Sequence, residues 1–264
     1  MYQLFAPHPA LRPTITHYWR LAGNLVVPFQ QAVLVDGCAD VMFNFGAGYQ
    51  RQHTDTQAYQ TASHLDAQRD YPISLSQHGQ VSLWGIRFGV GGLSALLRMP
   101  LHTLSNQTLD LDRVFGTPIR YLEEQLFLHQ DDSEVVCHLL DDFFLRRLAP
   151  SPAWVTVQHA LSHIQQTHGN ISIAQLSAEV GYSARTIDRL FGQTTGFAPK
   201  FYVRMTRFHH ALQWLHTSPK SLSEIAFLAH YYDQAHFHKD FVAFSGQTPE
   251  DYRRQNVLLP STLV

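Results

Sequence analysis

Between residues 152 and 255 one residue pattern occurs twice, about 50 residues apart, and no other feature of the 264-residue chain limits its fold so strongly. In the first copy, ISIAQLSAEVGYSARTIDRLFGQTTG, the residues Ile173, Leu176, Ser177 and Val180 fall on the inner face of a short helix, and Gly181 supplies a left-handed turn residue. Ser183 then caps the next helix, its hydroxyl accepting from the free amides of the first turn. Ile187, Leu190 and Phe191 face inward at helical spacing, which leaves Arg185, Thr186, Asp188 and Arg189 outside. The second copy, SLSEIAFLAHYYDQAHFHKDFVAFSGQTPEDYRR, puts Leu222, Ile225, Ala226 and Ala229 inside, Asp233 at the cap, and Phe237 and Phe241 in the core. Gln234, Ala235, His238 and Lys239 remain on its outer face. The intervening PKFYVRMTRFHHALQWLHTS reads as one helix, roughly 30 Å long at about 1.5 Å per residue. Two helix-turn-helix units, spanning about 171–196 and 221–246, thus sit at a separation close to the roughly 34 Å between successive major-groove faces of B-DNA.

The outward residues suit base edges. Arg185 and Arg189 can each bond both guanine acceptors, Lys239 can reach a base or a phosphate, and Gln234 matches adenine. Asp188 either accepts from cytosine or orients a neighbouring arginine, and the sequence leaves both open. Among the 17 histidines, no pair acquires a third and fourth partner at metal-ligand spacing, so no metal is expected. The stretch from about 152 to 255 resembles the AraC/XylS DNA-binding domain, through GYSARTIDRLFGQTTGFAPKFYVRMTRF and YYDQAHFHKDFVAFSGQTPEDYRR. That resemblance implies seven helices carrying two reading heads, with base-facing positions at Arg185, Asp188, Arg189, Gln234, Ala235 and Lys239. One position departs from it: where the second turn usually has glycine this chain has His230, which must take positive φ at a steric cost.

The first half follows another rule. From about residue 14 to residue 90, the short apolar runs ITHYWRLAG, QAVLVDG, ADVMFNFGAG, YPISL and VSLWGIRFG read as strands separated by turn residues. The polar RQHTDTQAYQTASHLDAQRD reads as a long loop or a weakly paired hairpin near a ligand opening. Asp36-Gly37 is a turn signal between strands. Helical spacing then sets in with LSALLRM, PIRYLEEQLFLHQ and SEVVCHLLDDFFLRRL. The apolar stripe of the last, Val135, Val136, Leu139, Leu140, Phe143 and Phe144, would pack on its own domain or pair two subunits. VLVDGCADVMFNFG and WGIRFGVGGLSALLRMPLHTLSNQTLDL resemble a sensor-like domain that precedes this reader in a subset of AraC-type regulators. It implies a β-rich, partly barrel-like module for effector binding or dimerisation. Arg87, beside Trp84 and Phe88, is the candidate contact for an anionic effector, with a core or interface ion pair as the alternative.

Prolines 150 and 152 interrupt both patterns. The expected chain is therefore α+β. A β-rich effector-binding or dimerisation domain spans 1–149, with a helical segment at 118–148, and an all-α reader spans 152–264 and folds without the first domain. No apolar run nears the roughly 18 residues of a transmembrane helix, and MYQLFAPHPALRPTITHYWR has no secretory pattern, so a bacterial cytoplasmic protein at the nucleoid is expected. Cys38 and Cys137 read as buried free thiols. Residues 170–264 hold 9 Lys/Arg against 7 Asp/Glu, while residues 1–169 hold 10 against 14. The expected function is a sequence-specific transcription regulator, an activator, modulated by a small molecule; the alternative is an effector-independent regulator whose first domain serves only dimerisation or protein contacts. Its partners would be double-stranded DNA, the effector, RNA polymerase and a second copy of the chain. Neither a cofactor nor catalysis is called for.

Overall fold

Among the described residues, eight antiparallel strands come from the first 110: β1 (Tyr2–Phe5), β2 (Ile15–Val33), β3 (Ala39–Asn44), β4 (Tyr49–His53), β5 (Thr56–Gln60), β6 (His64–Asp66), β7 (Ile73–Phe88) and β8 (Thr108–Asp110). The computed structural model describes residues 1–54 and 56–254. The sheet order is β1-β2-β7-β3-β6-β8, with β4 on the far half of β7 and β5 on β4. β2 and β7 make one long ribbon, paired from Ile15↔Phe88 to Val33↔Ile73 with a register shift between Leu25 and Phe29. Sequence periodicity breaks each of these strands in two. Ser76–Gln80, for example, pairs as strand yet carries no apolar side chain to mark it. The polar stretch after residue 50 proves to be a hairpin, with β4 and β5 paired from Tyr49↔Gln60 to His53↔Thr56.

Alternation decides which face is covered. Val41, Phe43, Trp84, Ile86 and Phe88 point into one core, which is closed by α1 (Leu111–Phe115), α2 (Pro118–Leu128) and α3 (Ser133–Leu145). Val136, Leu140 and Phe144 of α3 are fully buried there, and Phe144 meets Phe88 edge-on at 5.6 Å, so the stripe seals its own domain. LSALLRM does not form the helix its spacing suggests. Its first residues join a four-residue 3-10 turn, Gly92–Ala95, and Pro100 disfavours helix at Met99 directly before it.

Seven helices follow among the described residues: α4 (Pro152–Gln166), α5 (Ile173–Val180), α6 (Ala184–Thr195), α7 (Pro199–Thr217), α8 (Leu222–Leu228), α9 (Gln234–Ser245) and α10 (Pro249–Arg254). Helix α4 begins at Pro152, with the Ser151 hydroxyl accepting from the Trp154 amide. Residues 255–264 of the expected reader lie outside the described residues.

The chain changes character at residues 149–152, yet the reader's core does not consist of reader residues alone. Val35, in the β2–β3 loop, is 2% exposed inside it, with Leu34 and Val90 packed alongside. The Val35 amide donates to the Phe244 carbonyl at the end of α9 (3.1 Å), and its carbonyl lies 2.8 Å from His209 Nε2 on α7. Burial holds His209 below the usual imidazole pKa range, outweighing the opposite pull of that carbonyl, and the Arg87 charge adds a smaller downward push; a neutral ring donating through Nε2 is thereby favoured. Gly37 takes φ 70° as the turn signal requires, with the Cys38 amide donating to Asp36 Oδ1, and a Cβ there would sit 2.9 Å from the Tyr202 ring. Ser105 donates to the Gly196 carbonyl just past α6 (3.2 Å), and Gln158 to the Val90 carbonyl (2.8 Å). The β domain therefore grips the carboxy-terminal ends of both α6 and α9.

Candidate nucleic-acid interface

Each unit is built by the same local rules. Ser172 and Gln175 form a reciprocal capping box at the start of α5, and Ser221 and Glu224 repeat it on α8. The Ser221 hydroxyl and amide hold the Glu224 carboxyl below the usual carboxylate range. Gly181 ends α5 at φ 72°, and a Cβ there would meet no atom within 4 Å, so backbone conformation alone accounts for it. Ser183 accepts from the Thr186 amide and Asp233 from the His236 amide, starting α6 and α9 as the sequence requires.

The inward residues of α6 and α9 are buried as expected, Ile187 1%, Phe191 0%, Phe237 1% and Phe241 0% exposed, while Ile173, Ser177, Val180 and Leu222 on the preceding helices are half-buried. Their burial fixes what is left outside. Arg185, Asp188 and Arg189 are exposed on α6, and Gln234, Ala235, His238 and Lys239 on α9. Arg189 donates to Gln193 one turn on (3.1 Å), which props its guanidinium along the outer face. Gln234 accepts from Ser223 of α8 through its amide oxygen (3.0 Å), so its NH2 group stays free to donate. Thr186 is half-buried and its hydroxyl lies 2.9 Å from Ser183 Oγ, within the cap. Among the described residues, Asp188 forms no ion pair with either neighbouring arginine.

Arg87 and Trp84 are committed elsewhere. The Arg87 guanidinium pairs with Asp36 and with Asp40 (2.7 Å) beside the Val35 loop, and Trp84 is fully buried with its indole donating to the Gln130 carbonyl. The ion pair weighed for Arg87 is thus the arrangement found, and neither residue is available to meet an effector. Cys38 and Cys137 are free thiols, both partly buried. Among the described residues, no group of three or more His, Cys, Asp or Glu side chains is placed to hold a metal ion.

Sequence spacing passed over two features. Asp240 is 1% exposed in the middle of α9 and accepts from both Nε and Nη2 of Arg204 on α7 (3.1 and 2.7 Å), locking the recognition helix to the connecting helix. It falls on the same stripe as Phe237, Phe241 and Phe244, and that periodicity would have marked it. Tyr182 and Tyr232, 46% and 93% exposed, directly precede the two cap residues on the outer rim, a repeat readable from sequence.

His230 does take φ 60°. Its ring lies 6.4 Å from that of His210, which in turn stacks on His168 at 4.2 Å, and among the described residues no hydrogen bond ties it to that pair. His230→Gly is therefore expected to stabilise by roughly 0.5 to 1 kcal/mol, a relief of about 1 kcal/mol of strain offset by extra freedom in the unfolded chain. Thermal unfolding reads this directly, and a lower melting temperature would mean the ring contributes more than the turn costs.

Residues 176–255 match the family described as "Helix-turn-helix domain", and residues 3–110 match "Domain of unknown function (DUF6597)". An uncharacterized HTH-type transcriptional regulator of Staphylococcus aureus is 29% identical over 86 residues, 33% of this chain and 12% of that protein. The HTH-type transcriptional activator RhaR of Yersinia pseudotuberculosis is 34% identical over 76 residues, 29% of this chain and 26% of that protein. The chain thus aligns with about a quarter or less of these relatives' lengths. Among solved structures, apo ToxT from Vibrio cholerae is 12% identical with a TM-score of 0.47, over 90% of this chain and 97% of that one. The DNA-binding domain of AdpA, solved in complex with a target DNA, is 30% identical with a TM-score of 0.34, over 40% of this chain and 92% of that one. Fold and site define a double helix-turn-helix protein with a β-rich partner domain. Its residues 176–255 are a helix-turn-helix domain of the AraC type.

Proposed function

We propose that this chain is a sequence-specific, double-stranded-DNA-binding transcription regulator of the bacterial cytoplasm and nucleoid, organised as a β domain over 1–149 and a reader over 152–264. One observation carries it: two capped helices whose inner faces are fully used for packing leave Arg185, Asp188 and Arg189 on one, and Gln234, His238 and Lys239 on the other, free to meet base edges. Tyr182 and Tyr232 fit sugar–phosphate contacts beside the two caps. α7, with 19 residues and about 1.5 Å of rise per residue, spaces the heads by close to one turn of the duplex.

Arg189→Ala and Lys239→Ala should each weaken specific binding by about 1 to 3 kcal/mol, and the double variant should abolish it. A salt titration of the wild type should give a steep linear fall of log affinity with log salt. Gel shifts unchanged in both single variants would refute the orientation of the heads.

The β domain is the proposed sensor of a small-molecule effector, acting through its grip on α6 and α9, with RNA polymerase as a further contact. A second reading, dimerisation without an effector, is favoured by the exposed Tyr121, Phe127 and Leu128 of α2 together with the filled core beneath that helix.

A further inference from the structure

Two of the four non-glycine residues at positive φ among the described residues are histidines, and their rings converge on a third. His168 (φ 50°) follows α4 and His230 (φ 60°) follows α8, and the chain leaves both helices in the same way. The His168 and Gly169 amides donate back to the Gln165 and Ile164 carbonyls, and the His230 and Tyr231 amides to those of Phe227 and Ala226. His210 on α7 meets both turns, its ring stacked on His168 at 4.2 Å and lying 6.4 Å from His230. The cluster thus marks a joint, where the connecting helix touches the turn leading into the first head and the turn inside the second.

Hydrogen bonding sets the charge that this joint accepts. The Trp214 indole, one turn along α7, can only donate, and His210 Nε2 accepts from it (3.2 Å), so the ring's single proton belongs on Nδ1. That Nδ1 is buried and has no partner among the described residues. A second proton would make Nε2 a donor facing a donor and would set an imidazolium against the His168 and His230 rings. Burial first, and then those two rings, hold His210 below the usual imidazole range. Its neighbourhood supplies no counter-charge. Arg207 donates to the Gly169 carbonyl and the Lys220 ammonium lies 5.9 Å from the Trp214 ring, both of them cations. On the second head Asp233 is used by its cap and Asp240 by Arg204, and none of the described ion pairs brings a carboxylate to any of the three histidines.

We propose that His168, His210 and His230 form an acid-sensitive joint between the two heads: a proton on His210 breaks its bond to Trp214, drives the flanking turns off α7 and spoils the spacing at which the heads meet DNA. A ring that the fold keeps neutral contributes stability that is complete above about pH 6.5 and is lost as the pH falls below it. The effect on DNA rests on the reading of α6 and α9 as recognition helices, and the joint itself does not.

The test uses the full chain at about pH 7.5 and about pH 5.5, on either side of the ordinary imidazole value. The Trp214 indole N–H resonance, assigned with Trp214→Phe, should move between the two in the wild type and stay in place in His210→Gln. His168→Asn and His230→Gly each remove a flanking ring and leave a residue that tolerates positive φ. Turn strain does not depend on pH, whereas repulsion between the rings does. Relative to the wild type at the same pH, each variant's melting temperature should therefore be higher at the lower pH than at the higher one by roughly 2 °C or more. Between the two conditions the wild type should lose about fivefold more DNA affinity than the double variant His168→Asn/His230→Gly. An immobile Trp214 resonance, or melting differences that ignore pH, would overturn the joint, and an affinity loss no greater in the wild type than in the double variant would overturn its effect on the heads. Absence of specific DNA binding at both pH values would strike the DNA reading instead, with the resonance and the melting temperatures still deciding the joint.

Discussion

Val35→Asp is expected to pull the two domains apart. The side chain is 2% exposed within the reader's core, and its backbone is held on both sides by His209 and the Phe244 carbonyl. A carboxylate placed there has no cation among those contacts, and the effective penalty for an unpaired buried ion is several kcal/mol, a large part of the roughly 5 to 15 kcal/mol that holds a typical domain together. Two results should follow. Calorimetry should show one unfolding transition for the wild type and two for the variant, and limited proteolysis of the variant should cut at the proline-bounded segment around residues 149–152. Val35→Ala removes only apolar contact and should cost about 2 kcal/mol. Gly37→Val strains the same loop independently, through positive φ and the Tyr202 ring. A Val35→Asp protein that melts in one transition at the wild-type temperature would show that the loop does not couple the domains. The same seam changes the expectation for the isolated reader: cutting near Ser151 removes Val35 and leaves a hole between α7 and α9, so a fragment beginning there should be markedly less stable than the reader within the full chain.

Arg204→Ala should be nearly as damaging. Asp240 is 1% exposed and Arg204 supplies its two-point partner, so removing the guanidinium leaves a buried carboxylate with only the His236 ring, its Nε2 3.6 Å away, beside it among the described ion-pair partners. Breaking one side of a buried pair typically costs about 3 to 5 kcal/mol, and the lower end applies because Arg204 itself is about a third exposed. Chemical denaturation should register that loss, and the second reading head should lose DNA contacts before the first. Asp240→Asn, which keeps shape and removes the charge, should recover much of the stability. Wild-type stability in Arg204→Ala would mean that the pair only decorates the helix junction.

How much of this was legible follows from where the signals lie in the chain. Caps, turns and buried stripes are local, and so Ser183, Gly181, Asp233 and the inward aromatics announced both reading heads within windows of about two dozen residues. The docking seam has no such signature. Val35 and His209 are 174 positions apart, and each of the four bonds described across the seam ends on a backbone atom, which every residue has. Val35 reads as an ordinary strand residue. The β4–β5 hairpin escaped a firm assignment for a different reason: its glutamines face a cavity and solvent, so the apolar alternation that marks a strand is missing. The sequence offered an ion pair for Arg87 but could not name its partners, because Asp36 and Asp40 sit about 50 positions away and reach it only through the pairing of β3 with β7.

In vitro selection of duplexes from a random library by the full chain tests the central claim most directly. Enriched duplexes should carry two separate motifs whose centres lie about 10 to 10.5 base pairs apart, one relaxed by Arg189→Ala and the other by Lys239→Ala. Enrichment of no motif, or of a single motif that both substitutions relax alike, would contradict two reading heads held on one β domain.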